Sequence, residues 1–339
     1  MAPVTVALDW TPNTNHAGFY IAKAKGWYAD EGLEVTLLST HHDGYKKTPA
    51  QRVADGSATF AVTPNETVIS AATNPAAKKL LAVAALQAVN TSAIVTLASS
   101  GLDSPAKLDG CVYASYGARY EGRIVQEMIR AAGGSGDYVE ETLPVLGIWD
   151  TLLKGRAAAT WVFMGWEGVE AARKGVALNV FKLKDYAVPY CPSPVLVADA
   201  TTLDGALATA FLAATARGFA FAAAQPEEAA RLFCATATAE NPDLPAPLDE
   251  AMCVDSVRYL VAEGAFSFPG GWGRMDLAVC QAFITWLHTS GLLTAAVQSR
   301  TPDGVATVSL DALRAGQSGA LLPPPDAAAL FSNAFLPRC

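Results

Sequence analysis

The sequence predicts an α/β protein built as two lobes. Three observations carry this reading. Apolar, β-branched strands alternate with helical segments in two successive arrays, roughly 1–92 and 93–192. The final third is almost wholly helical. The chain has 339 residues, 51% hydrophobic and 17% charged, so it exceeds one ordinary domain and carries apolar surface for two cores.

VTVALDW (4–10) alternates and is rich in β-branched residues, which predicts a strand. AGFYIAKAKGWYADEG (17–32) has helical spacing and ends at Gly26 or soon after, and LEVTLLST (33–40) is a second strand. A strand, helix, strand order with a crossover of roughly twenty residues implies parallel pairing and a right-handed connection. QRVADGS (51–57) closes a helix, and ATFAVT (58–63) is a short buried strand. NETVISAATN (65–74) is a helix, with Asn65 or Thr63 as its N-cap. KKLLAVAAL (78–86) and AIVTLASS (93–100) are strands, and SPAKLDG (104–110) turns into the strand CVYASYG (111–117). EGRIVQEMIRAAG (121–133) is a helix. YVEETLP (138–144), a helix through DTLLKGR (150–156) and AATWVFMGW (158–166) repeat the alternation. After PVLVADA (194–200), helices are expected over 204–224, 226–236, 248–263 and 275–290. They pack on an existing lobe rather than building a third sheet.

Composition excludes several classes of function. The net charge of −8 argues against nucleic acid or an anionic membrane as the main partner. LATAFLAATARGFAFAAA (207–224) is interrupted by Arg217, which suits a packed helix better than a membrane span. MAPVTVAL enters a strand without a basic n-region. That favours a cytoplasmic setting, or a periplasmic or extracytoplasmic one if a leader has been removed. Cys111, Cys191, Cys234, Cys253, Cys280 and Cys339 show no CxxC and no metal-ligand spacing, so they read as reduced, mostly buried thiols.

In open α/β sheets, ligands sit beyond the carboxyl ends of strands. Four polar or aromatic clusters fall at such ends: DWTPNTNH (9–16), TPNE (63–66), SYGARYEG (115–122) and MGWEG (164–168). Together they point to a cleft between the lobes. Trp10 is either a core anchor or a platform on which a planar heterocycle stacks. Asp9, Asn15 and His16 share its turn; His16 either caps backbone amides or donates to a ligand, and no carboxylate partner stands at obvious spacing. Thr63, Pro64, Asn65 and Glu66 form a capped helix start, or an amide-lined end that holds an anion. Tyr116 and Tyr120 flank a turn containing Gly117 and Glu121, and either close over a ring or stay solvated. Gly117 and Gly122 fall short of a dinucleotide-binding pattern. Glu167, beside Trp166 at the rim of an apolar strand, needs a partner if buried. An aminopyrimidine offers an exocyclic amine that such a carboxylate can accept; stabilisation of a helix start is the alternative. No nucleophile elbow, phosphate loop or HExxH is present, so no catalytic residue, metal ligand or cofactor is assigned.

LDWTPNTNHAGFYIAKAKGWYADEGLEV resembles the opening of bacterial substrate-binding proteins for thiamine-pyrimidine precursors. It is also similar to that of fungal hydroxymethylpyrimidine (HMP) phosphate synthase, which shares their fold. The resemblance extends through DGSATFAVTP, YGARYEG, GWEG and GRMDLAVCQAFITWLHTSGLL, and so covers most of the chain. It implies a type II periplasmic-binding-protein-like fold, two Rossmann-like lobes with the ligand between them. One lobe would comprise 1–92 plus 195–339, the other 93–194. It also implies that Trp10, the 116–121 turn and Glu167 line a pyrimidine site, with Tyr190 close by. Where the synthase carries a lysine that binds pyridoxal phosphate and a substrate histidine, this chain has Thr63 and Thr67. Of the synthase's cysteine-rich motif only Cys191 remains, in PYCPSP (189–194), and Asp9 replaces an amide residue.

The expected function is therefore binding of HMP or a formylaminopyrimidine-like precursor for thiamine synthesis or salvage, with an ABC transporter permease as partner if the chain is exported. Two alternatives stand: a synthase variant working through His16 and Cys191 with pyridoxal phosphate and iron, or a binder of another flat or sulfonated nutrient.

Overall fold

A computed structural model describes residues 1–142, 148–244, 247–296 and 308–337. The first sheet contains β1 (Ala2–Ala7), β2 (Leu33–Leu38), β3 (Phe60–Thr63), β4 (Leu80–Ala85) and β10 (Val195–Asp199), in the order β2-β1-β3-β10-β4. The second contains β5 (Ser92–Leu97), β6 (Val112–Ser115), β7 (Val139–Thr142), β8 (Ala159–Phe163) and β9 (Leu178–Phe181), in the order β7-β6-β8-β5-β9. The chain passes from the first sheet to the second between β4 and β5, and returns between β9 and β10.

Strand burial follows position. β2 is an edge strand and alternates, with Leu33, Val35 and Leu37 inward and Glu34 and Thr36 outward. β3 and β10 lie inside the sheet, and all their residues are buried, as covering on both faces requires. β1 runs parallel to β2 and β3, as the crossover predicts. β10 instead runs antiparallel to both β3 and β4, and β5 runs antiparallel to β8 and β9. Each sheet thus receives one reversed strand at a crossing. A short apolar run carries no local record of its direction.

Three further differences separate expectation from structure. β9 is unforeseen, because LNVF exposes Val180 and leaves Leu178 half-buried, the weak pattern of an edge. The expected strand AATWVFMGW stops at Phe163, and Met164–Gly168 forms a π-helical turn instead. Gly165 permits that turn to pack, since a Cβ there would lie 2.6 Å from the Leu260 side chain. Finally, Cys191 and Cys280, expected as reduced thiols, are joined in a disulfide across 89 residues, a separation that gives no spacing signal. Cys111, Cys234 and Cys253 are free. Leu143 and Pro144, the end of the predicted strand YVEETLP, and Cys339 lie outside the described residues.

The helices of the final third cover the first sheet. In Gly205–Ala224, Phe211 stacks on Tyr28 and on Phe60, with ring centroids 5.3 and 4.7 Å apart. This helix is long and apolar enough to cross a membrane, yet Phe211, Leu212 and Phe219 are fully buried in the protein. It meets the helix Ala17–Ala24 at a glycine pair: a Cβ on Gly218 would stand 2.0 Å from the Gly18 carbonyl oxygen. Backbone meets backbone there, so neither helix can yield by turning a side chain. Gly218→Ala is therefore expected to destabilise the protein by about 1–3 kcal/mol through overpacking. The measurement is the urea unfolding midpoint at constant m-value; an unchanged midpoint would mean that the helices part freely.

Candidate functional site

The turn after β1 is built from its own polar side chains. Asn13 is extended and caps the 3-10 turn Thr14–His16, accepting from the Asn15 amide at 3.0 Å. In return His16 Nδ1 accepts from the Asn13 amide at 3.4 Å, completing a capping box. With Nδ1 an acceptor, Nε2 carries the hydrogen and donates to Asp9 Oδ1 at 2.7 Å. His16 thus has the carboxylate partner that sequence spacing did not reveal, and it acts as a cap. Its ring is fully buried and holds Asp9 in place.

Two polar chains fasten this turn to distant segments. Asn15 Oδ1 accepts from Gln87 Nε2 at 2.7 Å, and Gln87 Oε1 accepts from Thr91 at 2.6 Å, on the crossing between β4 and β5. Thr14 bonds to Ser256, whose hydroxyl donates to the carbonyl of Gly165, inside the turn that carries Glu167.

A cavity of about 430 Å³ lies between the strand ends of the two sheets. From the first sheet's loops, Asp9, Trp10, Asn15, Thr63, Pro64 and Glu66 line it. From the second sheet's loops come Tyr116, Gly117, Glu121, Trp166 and Glu167, and from the return crossing Tyr190. The structure brings Trp10 and Glu167 to one hollow. Trp10 is half-buried and meets Tyr116 edge-on, with centroids 5.7 Å apart and planes at 74°. The Tyr45 ring lies 6.4 Å from the indole, tilted at 60° to it.

Three of the residues singled out do not line the cavity. His16 stands behind Asp9. Tyr120 is 1% exposed and packs in the core, so it does not face Tyr116 across a ring. Asn65 is no cap: Pro64 occupies the N-cap position, no side chain caps this helix, and Asn65 Nδ2 donates to the Cys191 carbonyl at 2.6 Å. Thr63, the other expected cap, has its hydroxyl buried at the cavity with no partner among the described residues. The Asn65 amide points at Ser193 Oγ, so the return crossing occupies the helix start where an anion was considered.

The acids differ in occupation. Glu121 Oε1 accepts from the Tyr113 hydroxyl at 2.8 Å and the Tyr116 amide at 3.1 Å, and Oε2 from the Ala118 amide at 3.3 Å. It holds the 115–118 turn, where Gly117 adopts a φ of +72° that favours glycine. Glu66 accepts from the Tyr190 hydroxyl at 2.5 Å, and burial pushes its carboxyl above the ordinary range. Glu167 accepts through Oε2 from the Phe163 amide at 3.0 Å. Its carboxyl is pushed up to about 7, first by burial and then by the charges of Glu170 and Asp9. Burial, with Glu140 adding, pushes Glu121 up to about 7 as well.

Sequence reasoning passed over several lining residues. Tyr45 and Trp161 gave no strand-end signal, although Trp161 meets Tyr190 at 5.6 Å. Arg119 sits inside the quoted SYGARYEG motif, where it reads as a solvated turn residue. In the structure it is 9% exposed and donates to Ser70 O, Ser70 Oγ, Thr73 Oγ1 and Thr294 O. Desolvation lowers its pKa from the ordinary range.

Residues 13–229 match the family described as NMT1/THI5 like. The formylaminopyrimidine-binding protein of Halalkalibacterium halodurans is 27% identical over 289 residues, 84% of each chain. A putative thiamine biosynthesis protein of Haemophilus influenzae is 24% identical, covering 76% of this chain and 80% of its own. Among solved structures, the periplasmic aliphatic sulphonate binding protein of Escherichia coli superposes with a TM-score of 0.59 at 13% identity, over 86% of this chain and 85% of that one. That likeness is one of fold: the chain has the periplasmic-binding-protein architecture.

The raised carboxyls have a measurable consequence. A carboxyl whose folded pKa exceeds its unfolded value near 4.3 adds stability while protonated. That contribution is full below the unfolded value and is lost as pH rises through about 7 for Glu121 and Glu167. Without ligand, stability read from urea unfolding should fall between pH 5 and 8, by on the order of 2 kcal/mol per group. Glu167→Gln should flatten part of that decline, and a stability that rises across this window would contradict the assignment.

Proposed function

The chain belongs to the NMT1/THI5-like family, and from that premise we propose that it binds an aminopyrimidine such as HMP or its formylamino relative, in the service of thiamine synthesis or salvage. The observation that carries this reading is the convergence of Trp10 and Glu167 on one cavity. The indole and the two tyrosines beside it offer aromatic faces and edges to a flat ring. Glu167 is a buried acid with one remaining oxygen for a ligand N–H, and an aminopyrimidine supplies that donor. The cavity falls within the range of about 300–1,000 Å³ common for small-molecule sites. The Halalkalibacterium relative is named for a ligand of this chemistry.

Binding is favoured over the synthase alternative because its two candidate groups are already engaged. His16 is bonded to Asn13 and Asp9, and Cys191 is joined to Cys280. The disulfide also supports an extracytoplasmic setting over the cytoplasmic one, since such bonds persist in oxidising compartments. In that setting a transporter permease would be the partner. The division into lobes, 1–92 plus 195–339 against 93–194, belongs to the same reading: it places the cavity between two bodies joined by the crossings.

Calorimetric titration with HMP and with the formylamino compound tests this. One equivalent of one of them should bind saturably. Glu167→Gln and Trp10→Ala should each weaken binding by about tenfold or more, the loss of roughly 1.4 kcal/mol. Failure of both pyrimidines to bind the wild-type chain would sink the reading.

A further inference from the structure

Away from the cavity, the motif THHD (40–43) forms a 3-10 turn directly after β2. Two of the chain's four histidines are here, and the fold brings Asp243 to them from about 200 residues further along. His41 Nε2 lies 3.1 Å from Asp243 Oδ1, and His42 Nδ1 lies 3.0 Å from Asp243 Oδ2. The donor atoms of the three side chains all fall within 4.8 Å of one another.

We propose that His41, His42 and Asp243 form a surface site for a borderline divalent transition metal, with Zn²⁺ as the natural occupant. A zinc ion held at about 2.0–2.2 Å by nitrogen and oxygen donors brings neighbouring ligand atoms roughly 3 Å apart. Each histidine already stands at that spacing from Asp243, and the two ring nitrogens lie within 4.8 Å of each other. The His41 ring is also oriented to ligate, because its Nδ1 is 2.7 Å from Ser39 Oγ and Nε2 is left to face Asp243. Such a partner on the far nitrogen is what fixes the ring of a metal-bound histidine. Two imidazoles and one carboxylate suit zinc or its neighbours, and are too nitrogen-rich for calcium or magnesium. The exposure is graded, with side chains 7% exposed for His41, 32% for His42 and 54% for Asp243, so water can complete the coordination.

The site has a structural consequence. Asp243 follows the helix Pro226–Glu240, while the THHD turn leads on to Tyr45 at the cavity wall. A bound ion would pin the connection after β2 to this helical layer. The inference does not depend on which ligand fills the cavity.

The test uses the full chain, freed of metal with a chelator, and Zn²⁺ titrated by calorimetry. One equivalent should bind saturably and raise the melting temperature. His42→Ala and Asp243→Asn should each weaken binding by about tenfold or more, while circular dichroism and the metal-free melting temperature stay at wild-type values. Bound Co²⁺ should show a spectrum of nitrogen and oxygen ligation. Absence of saturable binding would overturn the proposal. So would wild-type affinity in both variants, or a cobalt–thiolate band assigning the ion to a cysteine.

Discussion

The constraint on which the rest depends is the burial of Thr14, Asn15 and His16, whose exposures are 0%, 3% and 0%. Three consecutive polar side chains leave water just after a strand, and each must find a partner inside the protein. Each finds a different one. Thr14 reaches Ser256 and through it the Gly165 carbonyl, Asn15 reaches Gln87 on the crossing, and His16 reaches Asp9. One turn therefore ties together the first sheet, the helical layer, the crossing and the loop that carries Glu167. Trp10 is aimed by this frame. The close Gly18–Gly218 contact seats the helix that follows and so fixes the turn from behind.

Much of this was legible in the residues. LEVTLLST read as a strand and ATFAVT as a short buried one, and the structure has β2 and the fully buried β3 in those places. Polar clusters at strand ends pointed to the cavity because loops there must converge when the sheets face each other. What the sequence hid was partnership over long distance. Nothing near Asn15 announces Gln87 as its donor, because the two meet only when the crossing folds against the turn. Nothing near Cys191 announces Cys280. Tyr120 illustrates the opposite failure: an aromatic in a polar turn reads as a ligand clamp, but the turn rolls inward and gives the ring to the core.

Charge in the cavity is uneven in effect, if not in number. Glu121 spends both oxygens on backbone and hydroxyl donors, and Glu66 spends one on Tyr190. Glu167 likewise meets one donor among the described residues, the Phe163 amide, and its second oxygen lies in the same low-dielectric region. A low-dielectric site magnifies whatever finally satisfies that oxygen.

Arg119 sets a different kind of limit. Its guanidinium spans from the second sheet's loop to Ser70, Thr73 and the Thr294 carbonyl, yet every acceptor it touches is neutral. A motion that drew the sheets apart would forfeit those four bonds and at once rehydrate a cation. The second effect opposes the first. The contact therefore holds the two segments with less than the sum of its bonds.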